Sequence, residues 1–493
     1  MNGLQTLAYW QDHFNHPSAA TLGLLNAIFS VGQVVGLPFV PLLADGIGRK
    51  WTILLGSSLI FLGVILQTVS TTIGMFIAAR FIIGLGICYT QSCSRMLITE
   101  LSHPQYRGKL TTIYNTLWYS GSIVAAWTTY GTLKMESQWS WKTPSVLQSF
   151  PSVIQLFLIW LVPESRTYSS FVILALTRSL QYRRLPRYQI VKDKHELARK
   201  TFERFHAPSS GQEFVDAEYQ EVLETMALEK EFASRGISEL WKTPGNRHRF
   251  LIALSAGFFS QTAGAGIVSY YIFLVLSQIG ITDSKSQLVL NGCLTIFNFA
   301  IAGGMAFTID WIGRRPLFLT ATFGMCLAMT GWTIASQQYS VTGTTAGGRA
   351  VIALIFVFMF FYNLAWSGLL IGYVVEISPF YLRSRYLTVT LLAVAAGSFF
   401  TNYVNPVALE KITWKYYLCY IIWLAFQSVV VWWKYVETKG RSLEAVAICF
   451  DGDDAKLGGA GATGKGKELL DVLHSDAALD KGGIELQVEH AKV

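Results

Sequence analysis

The sequence contains few charged residues for its length. Asp, Glu, Lys and Arg make up 14% of the 493 residues, whereas 52% of the residues are hydrophobic. A soluble domain of this size has much less apolar surface to bury, so the composition excludes an ordinary soluble globular protein. We therefore expect lipid to be the main solvent for most of the chain.

Patterns of cysteine and histidine that hold metals or perform catalysis are also missing. None of the six cysteines occurs in CxxC spacing, so we interpret them as small core residues rather than as a disulfide framework or a metal site. His195 and His206 lie in a charged stretch without the paired carboxylates or the ligand spacing that acid–base or metal chemistry needs. We expect no enzymatic activity, no metal and no cofactor.

Long apolar runs dominate the rest of the sequence. A helix needs about 20 residues to cross a hydrocarbon core of about 30 Å, and its backbone polar groups must be satisfied within the segment. Eleven runs approach this length, which predicts an all-α polytopic membrane protein with about 11 transmembrane helices. The runs cover residues 20–43, 51–69, 73–98, 110–131, 145–162, 250–277, 287–309, 316–336, 350–373, 386–408 and 415–434.

Basic residues gather in alternate short loops between these runs. Examples are Arg49 and Lys50 in the first half and Arg314 and Arg315 in the second. Because loops rich in Lys and Arg stay in the cytoplasm, these loops and the C-terminus are predicted to be cytoplasmic. The net charge of +8 therefore indicates membrane topology rather than binding to nucleic acid.

Short charged motifs occur twice in the same order. Residues 45–50 (Asp-Gly-Ile-Gly-Arg-Lys) return at residues 310–315 (Asp-Trp-Ile-Gly-Arg-Arg), each directly after an apolar run. A glutamate followed seven residues later by an arginine also occurs in each half. The order indicates two related halves whose inner helix ends carry candidate gating residues. These candidates are Asp45, Arg49, Glu100, Arg107, Asp310, Arg314, Glu376 and Arg383.

Repeated halves of the same orientation are typical of secondary transporters. The substrate site of such proteins lies between two helical bundles near the midplane and opens alternately to either side. Carboxylates and guanidinium groups at the inner helix ends can pair across the bundles when the cytoplasmic side is closed, and they separate when it opens. The alternative interpretation is that the motifs are topology anchors and ordinary surface ion pairs.

Four features of the sequence point to one family. They are the two Asp-x-x-Gly-Arg loops, the glutamate–arginine pairs, Arg80 followed by Gly84 and Gly86, and the run Glu-Thr-Lys-Gly-Arg-Ser-Leu-Glu at 437–444. Together they resemble the sugar porter family of the major facilitator superfamily, and residues 114–132 and 261–271 are similar to fungal lactose permeases and hexose transporters. The resemblance implies the major facilitator fold, two pseudo-symmetric bundles of twelve helices in all, and secondary active transport of a disaccharide or hexose, coupled to protons.

The resemblance also implies a division of the chain into four parts. These parts are an N-terminal bundle of five spans (1–162), a central cytoplasmic loop (163–249), a C-terminal bundle of six helices (250–436) and a mostly disordered cytoplasmic tail (437–493). Because the family has twelve spans, the first span is expected to be missing. In proton-coupled members that span carries an aspartate that pairs with an arginine at the position of Arg80, which is the proton-coupling candidate. Residues 166–185 interrupt a family signature and are interpreted as an insert, either a retained intron or a genuine loop.

Amides and aromatic rings within the predicted spans are candidates for binding a sugar. A sugar is neutral and covered in hydroxyl groups, so its site needs amides that donate and accept hydrogen bonds and rings that cover apolar faces. The resemblance places Ser260 and Ile371 where the family has a glutamine and a tryptophan. For any single amide, the alternative is a hydrogen bond that joins two helices. The substrate-binding candidates are Asn115, Gln261, Tyr271, Asn291, Asn298, Asn363, Trp366 and Asn402.

Other functions remain compatible with these patterns. A sugar sensor would bind the same ligand without moving it, and a transporter of another polyol or of an organic acid would keep the same fold. An acid would require a cation in its site, for which Arg80 is the candidate. The expected partners are a small-molecule sugar, protons and the lipid bilayer, with no nucleic acid. We expect a monomeric, multi-pass protein of the plasma membrane.

Overall fold

The computed structural model describes residues 2–101, 104–161, 219–220, 223, 238–379, 382–440, 446 and 449–451. Within these residues the chain forms helices joined by short turns, and no β-strand occurs among them. This agrees with the predicted all-α class. The expected insert at 166–185, most of the central loop and the tail beyond residue 451 lie outside the described residues.

The helices of the first half are α1 (Asn2–Gln5), α2 (Ala8–His13), α3 (Ala19–Gly36), α4 (Phe39–Gly46), α5 (Arg49–Val69), α6 (Ile73–Leu101), α7 (Pro104–Thr132), α8 (Trp139–Leu147) and α9 (Phe150–Leu158). The helices of the second half are α10 (Glu239–Lys242), α11 (Pro244–Thr262), α12 (Ala265–Gln278), α13 (Ser284–Ile312), α14 (Arg314–Thr342), α15 (Thr345–Ala365), α16 (Leu369–Ile377), α17 (Arg383–Ile412) and α18 (Tyr416–Lys434). Short 3-10 turns at Ile159–Leu161 and Thr413–Lys415 follow α9 and α17.

Nine helical segments of the described chain are long and apolar enough to cross a membrane. One of these segments, Arg385–Lys434, contains both α17 and α18, whereas α7 is not among the nine. The predicted count of eleven spans is therefore not confirmed. Each of the eleven predicted runs nevertheless falls on one or two of the helices.

Several predicted spans are divided into two helices. Gly264 separates α11 from α12 with a φ of 106°, a left-handed conformation that glycine adopts without steric cost. Pro38, which has no backbone N–H, separates α3 from α4, and Pro151 stands in the first turn of α9. Hydropathy does not reveal these breaks because the residues on both sides remain apolar.

Polar side chains cap the N-termini of several helices. Ser18 caps α3 and Thr243 caps α11, each by accepting a backbone N–H of the first turn. Asp283 caps α13, where its carboxylate accepts the backbone N–H of Ser286 at 2.9 Å. Hydrogen bonds from the Ser286 hydroxyl and N–H hold the pKa of the Asp283 carboxyl below its ordinary value.

Glycines bring α3 and α6 into close contact in the first half. A Cβ atom on Gly84 would lie 2.2 Å from the backbone oxygen of Phe29, and one on Gly32 would lie 2.4 Å from that of Phe81. These distances leave no room for a side chain. The two helices therefore approach backbone to backbone, as small residues allow between membrane helices.

An aromatic cluster packs against both halves at one end of the bundle. Trp10 and Phe14 of the N-terminal segment are buried against Phe76 and Trp141 of the first half and Leu288 of the second. The predicted orientation places these helix ends on the outer side of the membrane. The N-terminal segment thus contributes to the contact between the halves at that side.

Candidate functional site

The halves also meet inside the bundle, where α3 runs beside α17. Ser30 on α3 donates to Ser398 on α17, with 3.1 Å between the hydroxyl oxygens. One turn earlier on α3, the Asn26 amide nitrogen donates to the Tyr271 hydroxyl of α12 at 2.9 Å. All four side chains are uncharged, and they are buried or half-buried. The contact between the halves is therefore polar although the helices around it are apolar.

Tyr271 connects three helices at this contact. It is fully buried, and its hydroxyl donates to the backbone oxygen of Asn402 on α17 at 2.6 Å while accepting from Asn26. The Asn402 amide nitrogen donates to Ser398 at 3.2 Å. The side-chain oxygens of Asn26 and Asn402 are buried and accept no hydrogen bond from the described residues. Both oxygens can therefore accept a hydrogen bond from a ligand hydroxyl.

A second polar group lies between α7 and the break that separates α15 from α16. The Tyr119 hydroxyl of α7 is 2.6 Å from Asn363 Oδ1 and 2.8 Å from Ser367 Oγ. Asn363 Nδ2 donates to Asn298 Oδ1 on α13 at 2.9 Å. Two predicted substrate residues are thus hydrogen-bonded to each other, and a tyrosine of the opposite half reaches them.

Arg80 lies near this polar region without a carboxylate partner in the described part of the chain. Its side chain is only 8% exposed, and the guanidinium Nε is buried with no hydrogen bond among the described residues. The guanidinium carbon is 5.3 Å from the centre of the Phe29 ring. The hydroxyls of Tyr270 and Tyr271 are within electrostatic range of its charge. An aromatic ring therefore packs against this cation, and two tyrosines are within its electrostatic range.

The remaining amide candidates have different surroundings. Gln261 is half-buried, and its amide nitrogen is 3.3 Å from the Ser260 hydroxyl. Asn291 is half-buried on α13, two turns before Asn298. Asn115 belongs to α7, but its side chain is outside the described residues. The structure consequently brings Asn298, Asn363, Tyr271 and Asn402 to the contact between the halves.

Trp366 does not join this contact. Its side chain is 1% exposed, and its ring packs against Phe259 and Phe318 within the second half. The indole N–H donates to Thr322 of α14 at 3.1 Å. Trp366 ends α15 with helical backbone angles, and its ring faces the core of its own bundle although only three positions separate it from Asn363 in the sequence. A structural role therefore fits Trp366 better than the predicted contact with substrate.

An ion pair joins two of the gating candidates at the predicted inner end. Arg314 at the start of α14 contacts Glu376 near the end of α16, with Nη2 at 2.9 Å and Nε at 3.1 Å from the carboxylate oxygens. The Thr438 hydroxyl donates to the same carboxylate. All three residues belong to the second half. The pair therefore connects helices within one bundle rather than the two bundles.

Contacts of Glu437 account for the glycine at position 313 of the repeated loop. Its carboxylate accepts the backbone N–H groups of Arg314 at 2.9 Å and Arg315 at 3.0 Å, the first residues of α14. Gly313 precedes them with a φ of 107°, and a Cβ there would lie 3.0 Å from Glu437 Oε2. Burial raises the pKa of Glu437, but hydrogen bonds from four backbone N–H groups outweigh it and hold the pKa below its ordinary value. A helix N-terminus and a fixed carboxylate thus anchor the loop.

The other gating candidates are described less fully. Arg49 begins α5 and donates to the backbone oxygen of Ala44 at 3.3 Å. Arg383 begins α17. The side chains of four further candidates are outside the described residues, and their pairing stays a prediction. These four are Asp45, Glu100, Arg107 and Asp310.

Sequence reasoning missed the polar residues that the first half contributes. Asn26 and Ser30 are four residues apart in the first predicted span and share one helical face. A search for amides in apolar runs would have found Asn26. Tyr119 gave no such signal, because a tyrosine in an apolar run is as compatible with lipid contact as with a hydrogen bond.

Comparisons with known proteins agree with this architecture. The model of a family described as sugar (and other) transporter matches residues 4–178 and 172–450. The chain belongs to that family. The predicted resemblance to sugar porters is therefore confirmed.

Relatives and solved structures of transporters match most of the chain. The MFS-type transporter criB of Aspergillus cristatus is 24% identical, over 91% of this chain and 89% of its own length. The hexose transporter HXT9 of Saccharomyces cerevisiae is 25% identical, over 87% and 73%. The structure of the proton:xylose symporter XylE bound to 6-bromo-6-deoxy-D-glucose matches with a TM-score of 0.70 at 17% identity, over 91% of this chain and 95% of that chain. The last match confirms the predicted major facilitator fold.

Proposed function

We propose that this member of the sugar transporter family carries a disaccharide or hexose across the membrane by alternating access, coupled to protons. The observation that carries the proposal is the buried contact between the halves, where amides and hydroxyls meet without a carboxylate among the described residues. Such groups match the hydroxyls of a neutral sugar. Relatives named as hexose and glucose transporters support the same substrate class.

Within this proposal, the substrate lies between α3 and α7 of one half and α12, α13, α15 and α17 of the other. The unpaired oxygens of Asn26 and Asn402 accept substrate hydroxyls, and Asn298 and Asn363 bind from the second half. Gln261, Asn291 and Asn115 remain proposed contacts from the sequence. Because these groups come from both halves, binding favours the arrangement in which the halves are closed around the substrate.

The inner ion pair has a different proposed role. Arg314 and Glu376 hold the inner ends of α14 and α16 together, and Glu437 fixes the adjacent loop. They keep the second bundle rigid while it rocks against the first. Glu376→Gln should slow transport more than it weakens sugar binding, since the pair lies far along the helices from Asn363.

Proton coupling is proposed to involve Arg80. The guanidinium is within electrostatic range of Tyr270 and Tyr271, and Tyr271 is hydrogen-bonded to both halves. A change in charge near Arg80 would therefore act directly on the contact between the halves. We further propose that the protein is a plasma-membrane monomer with a cytoplasmic C-terminus.

Uptake of radiolabelled sugars tests the proposal directly. The chain is expressed in cells without their own hexose uptake, and a panel of hexoses and disaccharides is measured with and without a protonophore. We expect saturable uptake of at least one sugar, which the protonophore lowers. Asn363→Ala should raise the KM, whereas Gln338→Ala, which removes an exposed amide at the far end of α14, should leave it unchanged.

Three other results would contradict the proposal. Uptake no greater than in cells without the protein, across the whole panel, would exclude sugar transport. If purified protein were then stabilised by a sugar without any flux, the sensor alternative would hold instead. Uptake of an organic acid that requires Arg80 would favour the acid alternative.

A further inference from the structure

We infer that the Tyr119 hydroxyl occupies the place that a substrate hydroxyl takes in the loaded transporter, so that Tyr119 competes with the substrate and sets its affinity. This inference rests on the proposed function. No part of the sequence pattern singled out Tyr119. Three properties of Tyr119 support the inference: the direction of its hydrogen bonds, the half of the protein that supplies each partner, and the burial of those partners.

The direction of each hydrogen bond follows from the donors that Asn363 has. Its amide nitrogen has two hydrogens, and they go to Asn298 Oδ1 at 2.9 Å and to the backbone oxygen of Met359 at 2.8 Å. Only its oxygen is left for Tyr119, so the Tyr119 hydroxyl must donate at 2.6 Å. Tyr119 has a single hydrogen, and therefore Ser367 must donate to it at 2.8 Å.

A sugar hydroxyl can make the same pair of bonds. It can donate one hydrogen bond to the Asn363 oxygen and accept one from the Ser367 hydroxyl, as the tyrosine does. Asn363 is 2% exposed, so its oxygen would be left buried and unpaired if Tyr119 withdrew and nothing replaced it. Substrate binding at this point therefore requires an exchange of one hydroxyl for another.

The position of Tyr119 makes this exchange part of the transport cycle. Tyr119 is on α7 of the first half, while Asn363 and Ser367 belong to the second. Both bonds must break when the halves move apart. Tyr362 lies nearby and offers a contrast, because its hydroxyl donates to the backbone oxygen of Ser260 in its own half at 3.2 Å. A bond of that kind does not change when the halves move as rigid bodies.

Tyr119→Phe tests the inference because it keeps the ring and removes only the hydroxyl. In this variant the substrate has no Tyr119 hydrogen bond to displace, so it should bind more tightly. Loss of one competing hydrogen bond corresponds to a fall of roughly 2- to 10-fold in KM and Kd. Tyr417→Phe is the matched control. Its hydroxyl donates to Gln278 Oε1 at 3.4 Å within the second half, so the affinity should not change.

Two readouts separate the possible outcomes. KM is measured by uptake, and binding is measured independently as the sugar-induced rise in melting temperature of purified protein, with the ligand-free melting temperature as the check on folding. A larger rise in Tyr119→Phe than in wild type, together with a lower KM, supports the inference. Equal or weaker binding in Tyr119→Phe overturns it while leaving the proposed function intact. If no sugar binds to wild type or variant, the proposed function and the inference both fail.

Discussion

Removal of the Asp451 carboxylate should destabilise the inner end of the second bundle. Asp451 forms a two-point ion pair with Arg249 of α11, with Nη2 at 2.7 Å and Nη1 at 3.1 Å from its oxygens. Arg249 is 1% exposed, and it also donates to Asn246 Oδ1 and to the backbone oxygen of Ile377, both at 3.1 Å. The Phe450 ring centre lies 4.6 Å from the guanidinium carbon. The chain around Asp451 is thereby attached to the ends of α11 and α16.

The size of the effect follows from burial. Breaking a buried ion pair by removal of one partner costs about 3–5 kcal/mol, because the other charge stays in the interior. Asp451 is 25% exposed, and Arg249 would keep its hydrogen bonds to Asn246 and Ile377. We therefore expect Asp451→Asn to lower the free energy of unfolding by about 2–3 kcal/mol, somewhat less than that range. Asp12→Asn is the control, because its pair with His16 is exposed on both sides and is worth at most about 1 kcal/mol.

Thermal unfolding of purified protein in detergent, followed by tryptophan fluorescence, measures the effect. The melting temperature of Asp451→Asn should be several degrees below that of wild type, and the melting temperature of Asp12→Asn should equal that of wild type. In a double-mutant cycle, Asp451→Asn should add little once Arg249→Gln is present. Equal melting temperatures for Asp451→Asn and Asp12→Asn, or full additivity in the cycle, would show that this ion pair does not hold the inner end together.

Three further predictions follow from the packing and the inner loop. Gly84→Ala should lower folded yield because its Cβ would lie 2.2 Å from the Phe29 backbone oxygen, whereas Gly121→Ala, with no atom within 4 Å, should behave like wild type in size-exclusion chromatography. Gly313→Ala should reduce stability and uptake because the position requires a φ of 107° and contacts Glu437; wild-type melting and uptake would contradict this role. The lowered pKa of Glu437 means that its contribution to stability is present above its unfolded pKa of about 4.5 and is lost as pH falls through the folded value. Between pH 7 and pH 3, the melting temperature should fall less for Glu437→Gln than for wild type. Equal falls in melting temperature would refute this prediction.

The sequence alone determined the class of the protein and its internal repeat. Apolar runs of membrane length, basic loops and twice-occurring motifs are local properties, so composition and spacing were enough to predict an all-helical secondary transporter. The sugar porter family followed from the resemblance of its motifs to that family. The repeat also identified Arg314 as a gating candidate, and that role stays a prediction. Hydropathy could not show that Gly264 and the residues after Ala365 break the helices, because an apolar run continues across each break.

The tertiary structure decided which side chains meet between the halves. Asn26 contacts Tyr271 across 245 positions of the chain, and Tyr119 contacts Asn363 across 244. Such pairs depend on how the two bundles face each other, which no local pattern records. Trp366 shows a related limit, because it lies three positions after Asn363 at the end of the same helix, yet its ring packs into the core of its own bundle. Hydrophobic periodicity determines that a helix forms and which face is apolar, whereas packing between helices decides which of its polar residues reach the opposite half.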